Sequence, residues 1–293
     1  MRTDPASAMD TAALQGLALS REGHVTRLKW HRLRRRLSDP LFSAEVMADG
    51  FAAGASMELD LRVRRDGGFV VLHDGLLEGE TTGQGPVADL AINELKALHF
   101  QDGRPLIFTE DLAAMLHRAN PGALLQFDMK DDFAAIGSNG VSHLTALFSE
   151  TPTPVIVSGD SLELIAEIGL RLPNLQRGID PTDKLVGLFR RHGPRAVEAD
   201  LLADLRGPTQ PDTVYLAWQL VLEAAKEELD LIALCHSEGK LVDAWTFTLK
   251  DPGRGFSDEE WRDFSALMAL KPDQITTDEA PATEAAYLRR VNG

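Results

Sequence analysis

The chain has 293 residues, with 45 Asp and Glu against 30 Lys and Arg and a formal charge of −15. Nucleic acid and anionic membranes, which want a basic face, are excluded as partners by that balance, and an anionic ligand has to be met by local positive charge or a metal. The single cysteine, Cys235, rules out an internal disulfide, and no stretch approaches the roughly 20 apolar residues of a membrane span, so the chain reads as soluble, without stable membrane insertion, and cytoplasmic.

Residues 1–24 read as a tail with a short helix, Thr11 to Ser20, and lack the apolar run behind positive charge that a signal peptide carries. Residues 25–293 read as one domain. Val25 to His31 alternates as a first strand, with Lys29 and His31 on one side. Arg32 follows directly at its carboxyl end, and Arg34 to Arg36 read as solvated charge. Ser43 to Ala53 suits a helix that Gly54 ends.

The stretch Met57 to Asp74 is the most informative. Met57, Leu59, Leu61 and Val63 fall on one side of an extended strand, and Glu58, Asp60, Arg62 and Arg64 on the other. Arg65-Asp66-Gly67-Gly68 suits a tight reversal, and Phe69 to Leu72 a returning strand that delivers His73 and Asp74 towards the carboxylate pair. An insertion over about 69–108 follows, with a helix at Ile92 to Leu98, and then Thr109 to Asn120 as a helix with acidic residues in its first turn.

Ala123 to Lys130 alternates again, putting Gln126, Asp128 and Lys130 on one side. Further strands are expected at Pro154 to Ser158, Leu175 to Ile179, Thr213 to Trp218, Leu241 to Thr248 and Gln274 to Thr277, with helices at 160–170, 184–192, within 219–239, and at 257–270. Eight strands alternating with helices predict an α/β fold, a (β/α)8 TIM barrel, over a doubly wound open sheet; no Gly-x-Gly-x-x-Gly loop supports the latter.

Four motifs stand in order: His31-Arg32, Glu58-Leu59-Asp60, His73-Asp74 and Asp128-Met129-Lys130. With Trp245-Thr246-Phe247 and Thr276-Thr277-Asp278 they resemble the glycerophosphodiester phosphodiesterase family, phosphatidylinositol-phosphodiesterase-like barrels, from about Val25 to Asp278. The resemblance implies metal-dependent hydrolysis of a small-molecule phosphodiester to glycerol 3-phosphate and an alcohol. Strand carboxyl ends gather on one face of a barrel, so Glu58, Asp60 and Asp128 can converge. Three carboxylates without cysteine or paired histidines favour Ca²⁺ or Mg²⁺ over zinc. His31 and His73 would divide the acid and base roles, Arg32 and Lys130 would bind phosphate, and Trp218 and Trp245 would form an apolar wall.

The alternatives are a carboxylate cluster neutralised by Arg32, Arg62 and Lys130, a non-catalytic phosphoester-binding relative, and a phospholipase-D-like lyase on a lysolipid. Three departures stand out. Leu33 replaces the family's glycine, Ser38 to Ser43 does not reproduce its Pro-Glu-Asn-Thr segment, and Asp128 replaces a glutamate. Asp39 is the one acidic group there that could stand in for the missing glutamate.

Overall fold

Alternating segments form ten strands in a computed structural model that describes residues 15–151 and 154–292: β1 (Ala18–Arg21), β2 (His24–Trp30), β3 (Ser56–Val63), β4 (Phe69–Val71), β5 (Leu124–Met129), β6 (Val155–Gly159), β7 (Gln176–Ile179), β8 (Thr213–Ala217), β9 (Leu241–Trp245) and β10 (Gln274–Thr277). β2 pairs in parallel with both β10 and β3, which closes β2, β3 and β5 to β10 into an eight-stranded parallel barrel. Helices ring it, as the (β/α)8 TIM barrel requires. The apolar side chains of β3, including Met57, Leu59 and Leu61, are fully buried under that ring, so its carboxylates turn inward.

The barrel interior is polar at its centre. Lys29 pairs with Asp243 Oδ2 at 2.7 Å and also donates to Gln126 Oε1. Thr276 Oγ1 donates to Asp243 Oδ1 at 2.7 Å and Gln126 Nε2 to Ser158 Oγ at 2.8 Å. A buried ion pair is tolerable only when its remaining lone pairs find donors in this way.

Ser43 caps the helix Ala44–Ala53 by accepting from Val46 N, and Gly54 ends it in the left-handed region at φ 74°. β3 and β4 form the expected antiparallel hairpin. The insertion beyond β4 is a small compact excursion of short 3-10 turns and the helix Ile92–Leu95, pinned by isolated bridges such as Thr81 with Phe100.

Some expectations change. Of the short helix at Thr11 to Ser20, residues 11–14 lie outside the described residues, and Ala18–Arg21 is a strand antiparallel to β2. Helices Phe133–Phe148 and Pro194–Leu205 were not anticipated. The 219–239 segment holds two helices, Trp218–Lys226 and Leu231–Ser237, because Glu228 takes φ 62° and Asp230 caps a new start by accepting from Ile232 N and Ala233 N.

Candidate active site

In the β3–β5 ladder Asp60 stands opposite Asp128, and Glu58 opposite Gln126. Inward alternation therefore puts Glu58, Asp60 and Asp128 together, with one ligand oxygen from each lying within 4.8 Å of the others. Glu58 and Asp60 are buried; Asp128 is partly open. Burial, and then the charge of Asp128, pushes the Glu58 carboxyl above its ordinary range. Burial, and then the charge of Glu58, pushes Asp60 up to about 7, although Lys130 opposes this. Carboxylates this under-compensated favour a cation, and Asp60 Oδ2 is a buried oxygen without a hydrogen-bond partner among the described residues. The donor set fits a hard metal ion.

Two basic residues stand over the triad. Lys130 Nζ donates to Asp128 Oδ2 at 2.6 Å and lies 3.0 Å from Asp60 Oδ1; both anions raise its pKa against the effect of burial. Arg32 sits at φ 51°, ψ 43°, a left-handed turn that aims its backbone N–H at Glu58 Oε2 (2.8 Å), while its Nε lies 3.4 Å from Asp60 Oδ2. Leu33 also has positive φ, 54°, a region glycine enters without strain. Its side chain is fully buried in the core and is not among the residues that line the cavity.

Both histidines reach the cavity. His31 Nδ1 is 2.9 Å from Asp278 Oδ1, which also accepts from Arg34 Nε (3.0 Å) and Nη2 (2.8 Å); Thr248 Oγ1 donates to Oδ2 at 3.0 Å. Burial alone would raise the Asp278 pKa, but the hydrogen bonds and charges of His31 and Arg34 outweigh it and hold the carboxyl well below the usual range. His73 Nδ1 is 2.8 Å from Asp74 Oδ1. Its loop is fastened by Glu80 Oε2, which accepts from the N–H groups of His73 and Asp74, and by Arg62 Nε donating to His73 O.

These groups line a cavity of about 340 Å³ that contains His31, Arg32, Glu58, Asp60, His73, Asp128, Lys130 and Trp245. Trp218 is not among its lining residues. It packs on Phe247 at 5.0 Å beside a separate depression, since the chain has already turned into a helix there. Asp39 accepts from the N–H groups of Arg35 and Arg36 in its own loop, so it does not replace the missing glutamate. Arg34 is held by Asp278 rather than solvated, and Arg62 pairs with Asp131 rather than with the triad.

Sequence reasoning gave no role to Asp278, Glu80, Asp180 or Tyr215. The available signal was position: Asp278 and Asp180 each follow a barrel strand directly, at the end where sites are built.

Residues 43–141 match the family model described as Glycerophosphoryl diester phosphodiesterase family, a span holding Glu58, Asp60, His73, Asp128 and Lys130. No curated protein matches the chain. Among solved structures, a Silicibacter pomeroyi protein provisionally named a glycerophosphoryl diester phosphodiesterase is 19% identical with a TM-score of 0.69, over 92% of this chain and 95% of that one. A Parabacteroides distasonis glycerophosphodiester phosphodiesterase is 15% identical with a TM-score of 0.67, over 90% and 98%. An Oleispira antarctica phosphodiesterase, in complex with the product sn-glycerol-3-phosphate, is 14% identical with a TM-score of 0.63, over 89% and 96%.

Proposed function

Because residues 43–141 match the glycerophosphoryl diester phosphodiesterase family model, we propose that the chain hydrolyses glycerophosphodiesters to glycerol 3-phosphate and an alcohol, using a divalent cation and two histidines. The observation that carries this reading is the meeting of a three-carboxylate cluster, two cationic side chains and two carboxylate-anchored histidines in one cavity. The fold shared with a phosphodiesterase bound to sn-glycerol-3-phosphate supports the same chemistry.

Glu58, Asp60 and Asp128 would hold Ca²⁺ or Mg²⁺, hard cations suited to an all-oxygen donor set. When bound, such an ion neutralises charge on a non-bridging phosphoryl oxygen. Arg32 and Lys130 supply the remaining positive charge for the equatorial oxygens, which gain charge as the leaving group departs. His31 and His73 divide the proton transfers, one deprotonating the nucleophile and the other protonating the leaving alkoxide, which departs poorly as an anion. Asp278 and Asp74 fix the ring orientations through Nδ1, leaving Nε2 of each for the substrate. A small polar substrate fits a chain with no helix long and apolar enough to cross a membrane among the described residues, and a single buried cysteine suits the cytoplasm.

The test is release of glycerol 3-phosphate from glycerophosphocholine and glycerophosphoethanolamine with Ca²⁺, Mg²⁺ or chelator. His31→Ala and His73→Ala should each lose at least about 100-fold in turnover while keeping the rise in Tm that the ion gives the parent protein. Asp60→Asn should lose both. Unchanged turnover in His73→Ala, or no product from either substrate, would refute the reading.

A further inference from the structure

The buried side-chain polar atoms that find no hydrogen-bond partner among the described residues include Arg32 Nε, Asp60 Oδ2, Tyr215 Oη and Trp245 Nε1, and all four of these residues line the same cavity. Arg32 and Asp60 face one another at 3.4 Å within the site already described. Tyr215 and Trp245 have no such explanation.

Tyr215 is 3% exposed. A buried hydroxyl without a partner is unfavourable, so a residue kept in that state marks a place where a partner arrives from outside. The surroundings are shaped to seat this ring. Lys29 Nζ lies 4.4 Å from its centroid, fixed there by Asp243. A Cβ on residue 178 would come 2.4 Å from Tyr215 Cε2, so only glycine at that position admits the ring. Trp245 packs against the small cluster of Leu124, Ile156 and Tyr215.

The topology sets both residues across the barrel from the triad. Going round the closed sheet, β8 is the fourth strand from β3, and β9 the fourth from β5. Tyr215 and Trp245 therefore stand on the strands diametrically opposite those that carry Glu58, Asp60 and Asp128. A phosphodiester with its phosphorus over the triad extends one arm towards them.

We propose that Tyr215 Oη, assisted by the indole N–H of Trp245, is the specificity wall that receives the hydroxyl groups of the glycerol arm. This rests on the phosphodiesterase reading of the same site. A neutral hydroxyl suits the wall better than a second anion. Burial, and then the negative charges of Asp243, Asp128, Glu58 and Asp180, hold the pKa of the phenol far above the ordinary value and keep it a donor. An anionic ligand group would meet the same repulsion.

The discriminating measurement is calorimetric binding of two phosphate monoesters, sn-glycerol 3-phosphate and ethyl phosphate, which lacks the hydroxyls, to the full chain in Mg²⁺ buffer. The parent protein should prefer glycerol 3-phosphate by about tenfold or more, the scale of one good hydrogen bond to a buried donor. Tyr215→Phe removes one unpartnered oxygen and keeps the ring, so its Tm should be unchanged, and the preference should fall to within about twofold. Equal weakening of both ligands, no weakening of either, or a parent protein that binds them equally or not at all would overturn the proposal. Product release by the parent protein reports separately on the phosphodiesterase reading. A chain that prefers glycerol 3-phosphate through Tyr215 yet releases none would leave the hydroxyl wall standing and refute the hydrolysis.

Discussion

His31 performs its proposed proton transfer only if its ring is held, and the group that holds it lies at the opposite end of the chain. Asp278 binds His31 Nδ1 while Arg34 and Thr248 fix the carboxylate. Asp278→Asn should lower kcat by about 100-fold or more, as loss of an orienting partner does, with KM and the ion-induced rise in Tm nearly unchanged. The same residue gives a pH signature. Its folded pKa is depressed below the unfolded value of 3.8, so its contribution to stability is present above that pH and disappears as pH falls towards the folded pKa. The Tm advantage of the parent protein over Asp278→Asn should therefore shrink between about pH 5 and about pH 3. The inward pair Glu58 and Asp60 was legible because strand alternation needs only neighbouring residues. Asp278 was not, since its partnership with His31 exists only once β10 closes against β2.

The hairpin of β3 and β4 delivers His73, and one buried guanidinium sets its shape. Arg64 donates to Asp66, to the carbonyl of Phe69 and in bidentate fashion to Glu110 at the start of the helix Thr109–Leu116. A Cβ on residue 68 would fall 1.9 Å from Arg64 Nη2, so Gly68 is what lets the side chain fold back over the turn. Arg64→Met should destabilise the protein by about 1–3 kcal/mol by leaving the Phe69 carbonyl and two partly exposed carboxylates without their donor. It should also reduce turnover more than ion binding, because His73 moves while the triad does not. This hairpin, like the strands, was readable from its Arg-Asp-Gly-Gly turn. The helix Phe133–Phe148 was not, because Gly137 and Gly140 dilute its pattern and Gly137 sits at φ 60°, ψ −178° within it. Pro194–Leu205 was missed although Gly193-Pro194 marks its start.

At the scale of the whole barrel, the eightfold alternation was visible because each strand is short, apolar and bounded. What fills the centre was not, since Lys29, Asp243, Gln126 and Thr276 come from four separate strands. Lys29→Met should cost about 3–5 kcal/mol by leaving Asp243 charged and buried alone. Adding Asp243→Asn should restore much of that loss, because the amide still accepts from Thr276. Urea midpoints of the single and double variants check this, and failure of the second change to rescue would mean that the lysine acts mainly by packing on Tyr215.

The ε-ammonium of Lys130, at 2.6 and 3.0 Å from two carboxylates of the triad, acts as a tethered internal counter-ion. The barrel mouth is thus partly neutralised by its own chain. A cation held by the three carboxylates would compete with this resident rival, so its net affinity would reflect an exchange rather than their full attraction, and Lys130 would then be free to meet the phosphoryl group of the proposed substrate.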